Sequence, residues 1–200
     1  MTFPLTEMQL DALRELANIA SGNAATALSQ MLGREVEIKV PRALALPPAD
    51  AVDACGSPEQ LVAGVVIPVE GSINALVLLL IPTDDAARLC ALLGVEAGTE
   101  VGDSALREIG NILGTSYLNA LAAMTGLELL PCPPHLKNDM LGAIVASLVI
   151  ATAADDELAL VLDSELDVAH EPCAMSFLLL PTTGGIHDLL APLGLIETTV

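Results

Sequence analysis

Apolar positions in residues 7–32 recur at helical spacing. Leu10, Leu13, Ala17, Ala20, Ala24, Leu28 and Met31 fall within about 80° of one another at 100° per residue. Thr6 with Gln9 three residues on suits a capping box at the start of this helix, and Gly33 suits its stop. The period then drops to two. Val36, Ile38 and Val40 alternate with Glu35, Glu37 and Lys39, which predicts a half-buried strand that Pro41 should end. Residues 61–81 form two β-branched-rich runs interrupted by Pro68 and by Glu70-Gly71-Ser72, the pattern of a hairpin. Thr83-Asp84-Asp85 opens a short helix that closes at Gly94. Farther on, the pattern predicts a long helix over 100–125, strands over 127–131, 142–152, 157–162 and 175–180, and a helix beyond Thr183. Residues 42–60, with three prolines, carry no readable period. The stretch 61–82 has 22 residues and one charge, long enough to span a bilayer, but its internal turn residues favour strands over membrane insertion.

The chain also matches itself. Shifted by 93, residues 6–41 fall on 99–134 without a gap, with 14 of 36 positions identical. The segment Ala12-Leu13-Arg14-Glu15-Leu16-Ala17-Asn18-Ile19 lies on Ala105-Leu106-Arg107-Glu108-Ile109-Gly110-Asn111-Ile112. Such internal similarity decides architecture before local propensity does. The expected fold is α/β (α+β): one pseudo-twofold-symmetric domain over 1–200, built from repeats at about 6–95 and 99–195. Its centre should be a mostly antiparallel sheet with the hairpins edge to edge and both long helices packed on it, because neither half can bury its own apolar face.

Composition narrows the function. The 200-residue chain is 53% hydrophobic but 2% aromatic, so its core must be aliphatic and base-stacking platforms are not expected. Seven Lys and Arg against 26 Asp and Glu give a net charge of −19, a field that repels phosphate backbones and argues against nucleic acid as partner. Cys55, Cys90, Cys132 and Cys173 form no CxxC pair and read as reduced core residues. His135, His170 and His187 are isolated, and Asp155-Asp156-Glu157 reads as a solvated turn. No metal site or cofactor motif is expected: GxxxxGK, HExxH and GxSxG are all missing. The acidic start of the chain lacks secretory features, which points to a cytoplasmic address.

The candidate chemistry lies on the backs of the long helices. Asp11, Glu15, Asn18 and Gly22 cluster roughly 160° from the core face, and Ser104, Glu108, Asn111 and Thr115 take the same positions in the second half. Asn in a helix interior competes for the backbone, so its repetition beside Glu calls for a reason. Ile19 and Ile112 follow the asparagines and should project beside the acids, as in a docking surface. Glu and Asn supply no activated nucleophile, but an amide can hold a water in line with phosphorus and a carboxylate can pair with a partner's Lys. Such a site is half a site.

The spacing Asp11-x3-Glu15-x2-Asn18-x22-Pro41, repeated as Ser104-x3-Glu108-x2-Asn111-x22-Pro134, resembles the doubled motif of the CheC-type chemotaxis phosphatases. Two copies in one chain are similar to the CheC branch rather than to single-copy CheX, and no further domain suggests FliY. The resemblance implies hydrolysis of the aspartyl-phosphate on a CheY-type response regulator. It implies that Asn18 and Asn111 orient water, that Glu15 and Glu108 anchor on the receiver's Lys, and that Asp11 and Ser104 support the motif. Pro41 and Pro134 would be structural strand ends. Mg²⁺ would be supplied by the receiver, with no cofactor held by this chain. CheD, the receptor deamidase, is a second implied partner. The other reading of the same residues is a non-catalytic adaptor that engages a receiver or CheD.

Overall fold

The computed structural model describes residues 7–152, 158–168, 170–181, 188, 189 and 191. The chain opens with α1 (Glu7–Leu32), β1 (Val36–Leu46), α2 (Pro48–Cys55), β2 (Leu61–Gly71), β3 (Ala75–Pro82) and α3 (Thr83–Leu92). It continues with α4 (Glu100–Thr125), β4 (Leu129–Pro131), β5 (His135–Met140), α5 (Leu141–Thr152), β6 (Ala159–Val168) and β7 (Glu171–Pro181). Both long helices keep the bounds their apolar period predicts. Gly33 (φ +63°) and Gly126 (φ +70°) follow them in the left-handed conformation that glycine adopts without strain. Thr99 caps α4 by accepting from the Gly102 N–H at 3.1 Å. Thr6 of the expected capping box lies outside the described residues, and of the helix expected beyond Thr183 only Asp188, Leu189 and Ala191 are described, all three helical.

The seven strands form one sheet in the order β1-β6-β7-β3-β2-β4, with β5 also paired to β2. The hairpins β2–β3 and β6–β7 meet edge to edge through the antiparallel β3–β7 pair. The outer strands are exchanged: β1 pairs with β6, while β4 and β5 pair with β2. Swapping the halves therefore maps the strand order onto itself.

Both faces of the sheet are covered. Val65, Ile67, Val77, Leu79, Leu162, Phe177 and Leu179 point into a large core with Leu13, Leu16, Ala17 and Leu28 of α1, Leu89 of α3 and Ile109 and Leu113 of α4. The alternate residues Val62, Val66, Leu78, Leu80, Val161 and Leu178 face a smaller core under Val52 of α2 and Ile144, Val145 and Leu148 of α5. Strands buried on both sides read as unbroken apolar runs. That explains the membrane-like hydropathy of 61–82, and no helix among the described residues is long and apolar enough to cross a membrane.

Three expectations need correction. Residues 142–152 belong to helix α5, not to a strand. Its β-branched content suggests a strand, but the buried Leu141, Ile144, Val145, Leu148 and Val149 follow helical spacing, with Gly142, Ala143, Ala146 and Ser147 between them. The strand expected at 157–162 instead runs Ala159–Val168, and Glu157 lies outside the described residues, as does the rest of the Asp155-Asp156-Glu157 run. Pro41 does not end β1. Val40 and Pro41 together face the single residue Ser164, so the strand bulges and continues with its alternation inverted, from buried Val36 and Val40 to buried Ala43. Pro134 marks the equivalent event: residues 132–134, between β4 and β5, face only Ile67 and Pro68. Each motif proline thus sits where an outer strand takes up one extra residue.

Where α1 and α4 meet, the only tyrosine joins three elements. Tyr117 Oη lies 2.9 Å from Ser21 Oγ and 3.2 Å from Ser164 Oγ, and its ring packs on Phe177 at 4.5 Å between centroids. Burial pushes the Tyr117 phenol above its ordinary value of 10.0, partly offset by the two serines. Burial likewise raises the Cys90 and Cys173 thiols above 9.0, with nearby carboxylates adding to the shift. None of the four cysteines forms a disulfide; Cys90 and Cys173 are buried and Cys55 and Cys132 partly so.

Tyr117→Phe should cost about 1–3 kcal/mol, because it leaves two buried hydroxyls short of a partner, and a urea titration should show a lower midpoint at unchanged slope. A raised folded pKa means that the unfolded chain ionises first. Stability linked to these groups is complete below pH 9 and falls as pH rises through the folded values. The melting temperature should accordingly fall at alkaline pH, and fall less in Tyr117→Phe than in the wild-type chain.

Candidate active site

The outward backs of α1 and α4 carry the motif residues. Asp11, Glu15 and Asn18 are exposed on α1, and Ser104 and Glu108 are exposed on α4. Asn111 is half-buried. On each helix the Glu and Asn are one turn apart and share a face, since residues three apart are surface neighbours. The neighbouring cations are engaged locally: Arg14 pairs with Asp11, and Arg107 Nε donates to the Asp103 carbonyl at 3.4 Å. An exposed i,i+3 pair contributes about 0–1 kcal/mol, so its part here is to orient side chains rather than to stabilise the fold.

The two ridges are not seated alike. On α4, Gly110 and Gly114 rest against β2: a Cβ on Gly110 would lie 2.6 Å from Val65 Cγ1, and one on Gly114 would lie 2.4 Å from Ile67 Cδ1. Their counterparts on α1 are Ala17 and Ser21, which keep side chains in the core. Ile19 is 49% exposed, as expected of a docking residue, but Ile112 is half-buried and packs against the large core. The expectation that both isoleucines project is met only on α1.

The asparagines differ in the same sense. Asn18 makes no side-chain hydrogen bond to the described residues, and its neighbour one turn on is Gly22. Asn111 Oδ1 accepts from Thr115 Oγ1 at 3.5 Å. The sequence placed Gly22 and Thr115 in the two clusters but gave no sign of this contact.

His135 shares a groove of about 510 Å³ with Glu100, Asp103 and Arg107 of α4, but no motif residue lines it. No cluster of three or more His, Cys, Asp or Glu that could hold a metal ion occurs among the described residues. His135 opens β5 and His170 turns between β6 and β7, both exposed, and His187 lies outside the described residues. A groove of about 560 Å³ between α2 and α5, lined by Val52, Val145, Val149 and Ile150, belongs to the far face of the sheet and contains no motif residue.

Fold and site together define a class: a single sheet carrying two helical ridges, each with an acid and an amide but no nucleophile of its own. The CheC-like family matches residues 8–44 and again 101–137, two segments separated by the same 93 residues as the internal repeat. The CheY-P phosphatase CheC of Bacillus subtilis (strain 168) is 32% identical over 95% of this chain and 96% of its own length. This chain belongs to the CheC-like family. Among solved structures, Thermotoga maritima FliY superposes with a TM-score of 0.77 at 20% identity, over 95% of this chain and 98% of that one. The CheX–CheY–BeF3–Mg²⁺ complex from Borrelia burgdorferi gives 0.52 at 15% identity, over 84% of this chain and 96% of that one. These likenesses bear on the fold.

The seating of α4 can be checked by substitution. Gly110→Ala should destabilise the protein by about 1–3 kcal/mol, as overpacking does. Gly22→Ala, with nothing within 4 Å of the added Cβ, should instead stabilise it by up to about 1 kcal/mol through helix propensity. Denaturant midpoints of the two variants should move in opposite directions.

Proposed function

We propose that this chain hydrolyses the aspartyl-phosphate of a phosphorylated CheY-type receiver domain. Asn18 and Asn111 position the attacking water, and Glu15 and Glu108 anchor on the receiver's active-site Lys. The observation that carries this reading is an outward-facing Glu–Asn pair on each long helix, neither member of which is an activated nucleophile. Such a ridge can act only on a centre that already holds the reactive phosphorus. The names of the relatives support the reading: one is a CheY-P phosphatase, and a fold neighbour was crystallised on CheY with BeF3 and Mg²⁺.

In this reaction the water oxygen forms a bond to phosphorus as the bond from phosphorus to the aspartyl oxygen breaks. The carboxylate leaves as the anion, and the water proton passes to phosphate or solvent. Orienting a water in line is an entropic contribution, large when the geometry is tight. The carboxamide serves because its carbonyl accepts from the water while its N–H groups can reach phosphoryl oxygens. Glu15 and Glu108 supply binding: an acid meeting a Lys at a docked, water-poor interface contributes more than an exposed pair would. Mg²⁺ enters with the receiver, this chain holds no cofactor, and a cytoplasmic place follows from the substrate.

The test is phosphate loss from a phosphorylated receiver with and without the chain. Asn18→Ala combined with Asn111→Ala should reduce the acceleration by about 100-fold or more while receiver binding persists. Glu15→Gln combined with Glu108→Gln should instead raise KM by about 5- to 10-fold, as the loss of a charged contact predicts. Full activity in the asparagine double variant would remove their role. No acceleration by the wild-type chain, with receiver binding intact, would leave an adaptor.

A further inference from the structure

Several helical hydroxyls in this protein turn back on the main chain. Thr26 donates to the Gly22 carbonyl, Ser116 to that of Ile112 and Thr125 to that of Leu121, each four residues earlier, at 3.0, 2.8 and 2.7 Å. Thr115 does otherwise. Its hydroxyl is directed at the side-chain oxygen of Asn111, 3.5 Å away. Both residues are half-buried, and the α1 counterpart of Thr115 is Gly22, which leaves Asn18 exposed and unheld.

We propose that Thr115 is a positioning residue that fixes the Asn111 carboxamide, so that the α4 ridge meets its substrate with the water-orienting amide already aligned, whereas the α1 ridge must order Asn18 on docking. The inference rests on the phosphatase reading above. A carboxamide has two rotatable side-chain bonds, and one hydrogen bond to Oδ1 restrains its plane while leaving the second lone pair and both N–H groups for the water and the phosphoryl oxygens. At 3.5 Å the hydrogen bond is long, so it restrains the carboxamide plane without locking it. A positioning effect belongs to kcat, because the restraint acts on the reacting geometry and Thr115 itself touches no substrate in this arrangement.

Each ridge can be assayed alone, the α4 ridge in an Asn18→Ala background and the α1 ridge in an Asn111→Ala background, with a phosphorylated receiver domain as substrate. Thr115→Val, close in shape, should lower the kcat of the α4 ridge by roughly 3- to 10-fold at unchanged KM, and Thr115→Ser should retain most of it. Gly22→Thr, at a position with nothing within 4 Å of an added Cβ, should raise the kcat of the α1 ridge by a similar factor. Unchanged kcat in Thr115→Val, an equal loss in Thr115→Ser, or no gain in Gly22→Thr would overturn the proposal. A wild-type chain that dephosphorylates normally while these variants behave so leaves the phosphatase reading standing. A wild-type chain without activity overturns both.

Discussion

The pairing of β3 with β7 is the contact on which the rest of the molecule depends. It joins two hairpins that would each expose open edges and two apolar faces, and it makes one sheet wide enough to be covered by three helices on one side and two on the other. With β1 exchanged onto β6 and β4 and β5 onto β2, neither half can complete its own sheet. Burial on both faces then dictates where polar chemistry can stand. Strand side chains are spent on two cores, so the exposed backs of α1 and α4 are the long, regular surfaces left for a site. The Tyr117 hydroxyl, held between Ser21 and Ser164, ties these two helices to each other and to β6, fixing the register in which the ridges are presented.

Much of this was legible because it repeats. The apolar stripe Leu13, Ala17, Ala20, Ala24 and Leu28 has an unambiguous period, and both long helices follow it to their glycine stops. The outward position of Glu15, Asn18 and Glu108 follows from the same wheel. What failed did so where period and propensity disagree. Residues of α5 favour strands one by one, yet the spacing of Ile144, Val145, Leu148 and Val149 is helical, and spacing won because those residues must cover one face of β2 and its neighbours. Pro41 was expected to stop a strand, but on an outer strand a bulge accommodates a residue without an N–H, and β1 runs on to Leu46. The edge strand β5, with Lys137, Asn138 and Asp139 exposed, carries too little apolar alternation to be seen at all. Its polar character suits an edge that must not pair with other chains.

The unequal seating of the two ridges was also invisible in the motif. The same Glu and Asn stand in both halves, and the difference comes from residues the motif does not contain: Gly110 and Gly114 against Ala17 and Ser21, and Thr115 against Gly22. Close approach of a helix to a sheet needs glycine, and the approach changes the exposure of residues on the helix flanks. On the glycine-seated α4, Ile112 packs against the core, while its counterpart Ile19 on α1 faces solvent.

Charge sets how the site must work. A chain of net charge −19 does not attract an acidic receiver pocket over distance, and at physiological ionic strength fields fade within about 8 Å. On the proposed reading, recognition therefore falls to short-range contacts, the acid on each ridge and the apolar Ile19 beside it. An exposed ion pair contributes about 0–1 kcal/mol before docking excludes water. Binding built this way would be weak and brief, as the proposed reaction requires of a protein that leaves once the phosphorus–oxygen bond is broken. On the proposed reading the amide needs only to be rightly placed during that brief contact, so the rate would depend more on how firmly each asparagine is held than on how tightly the partners bind.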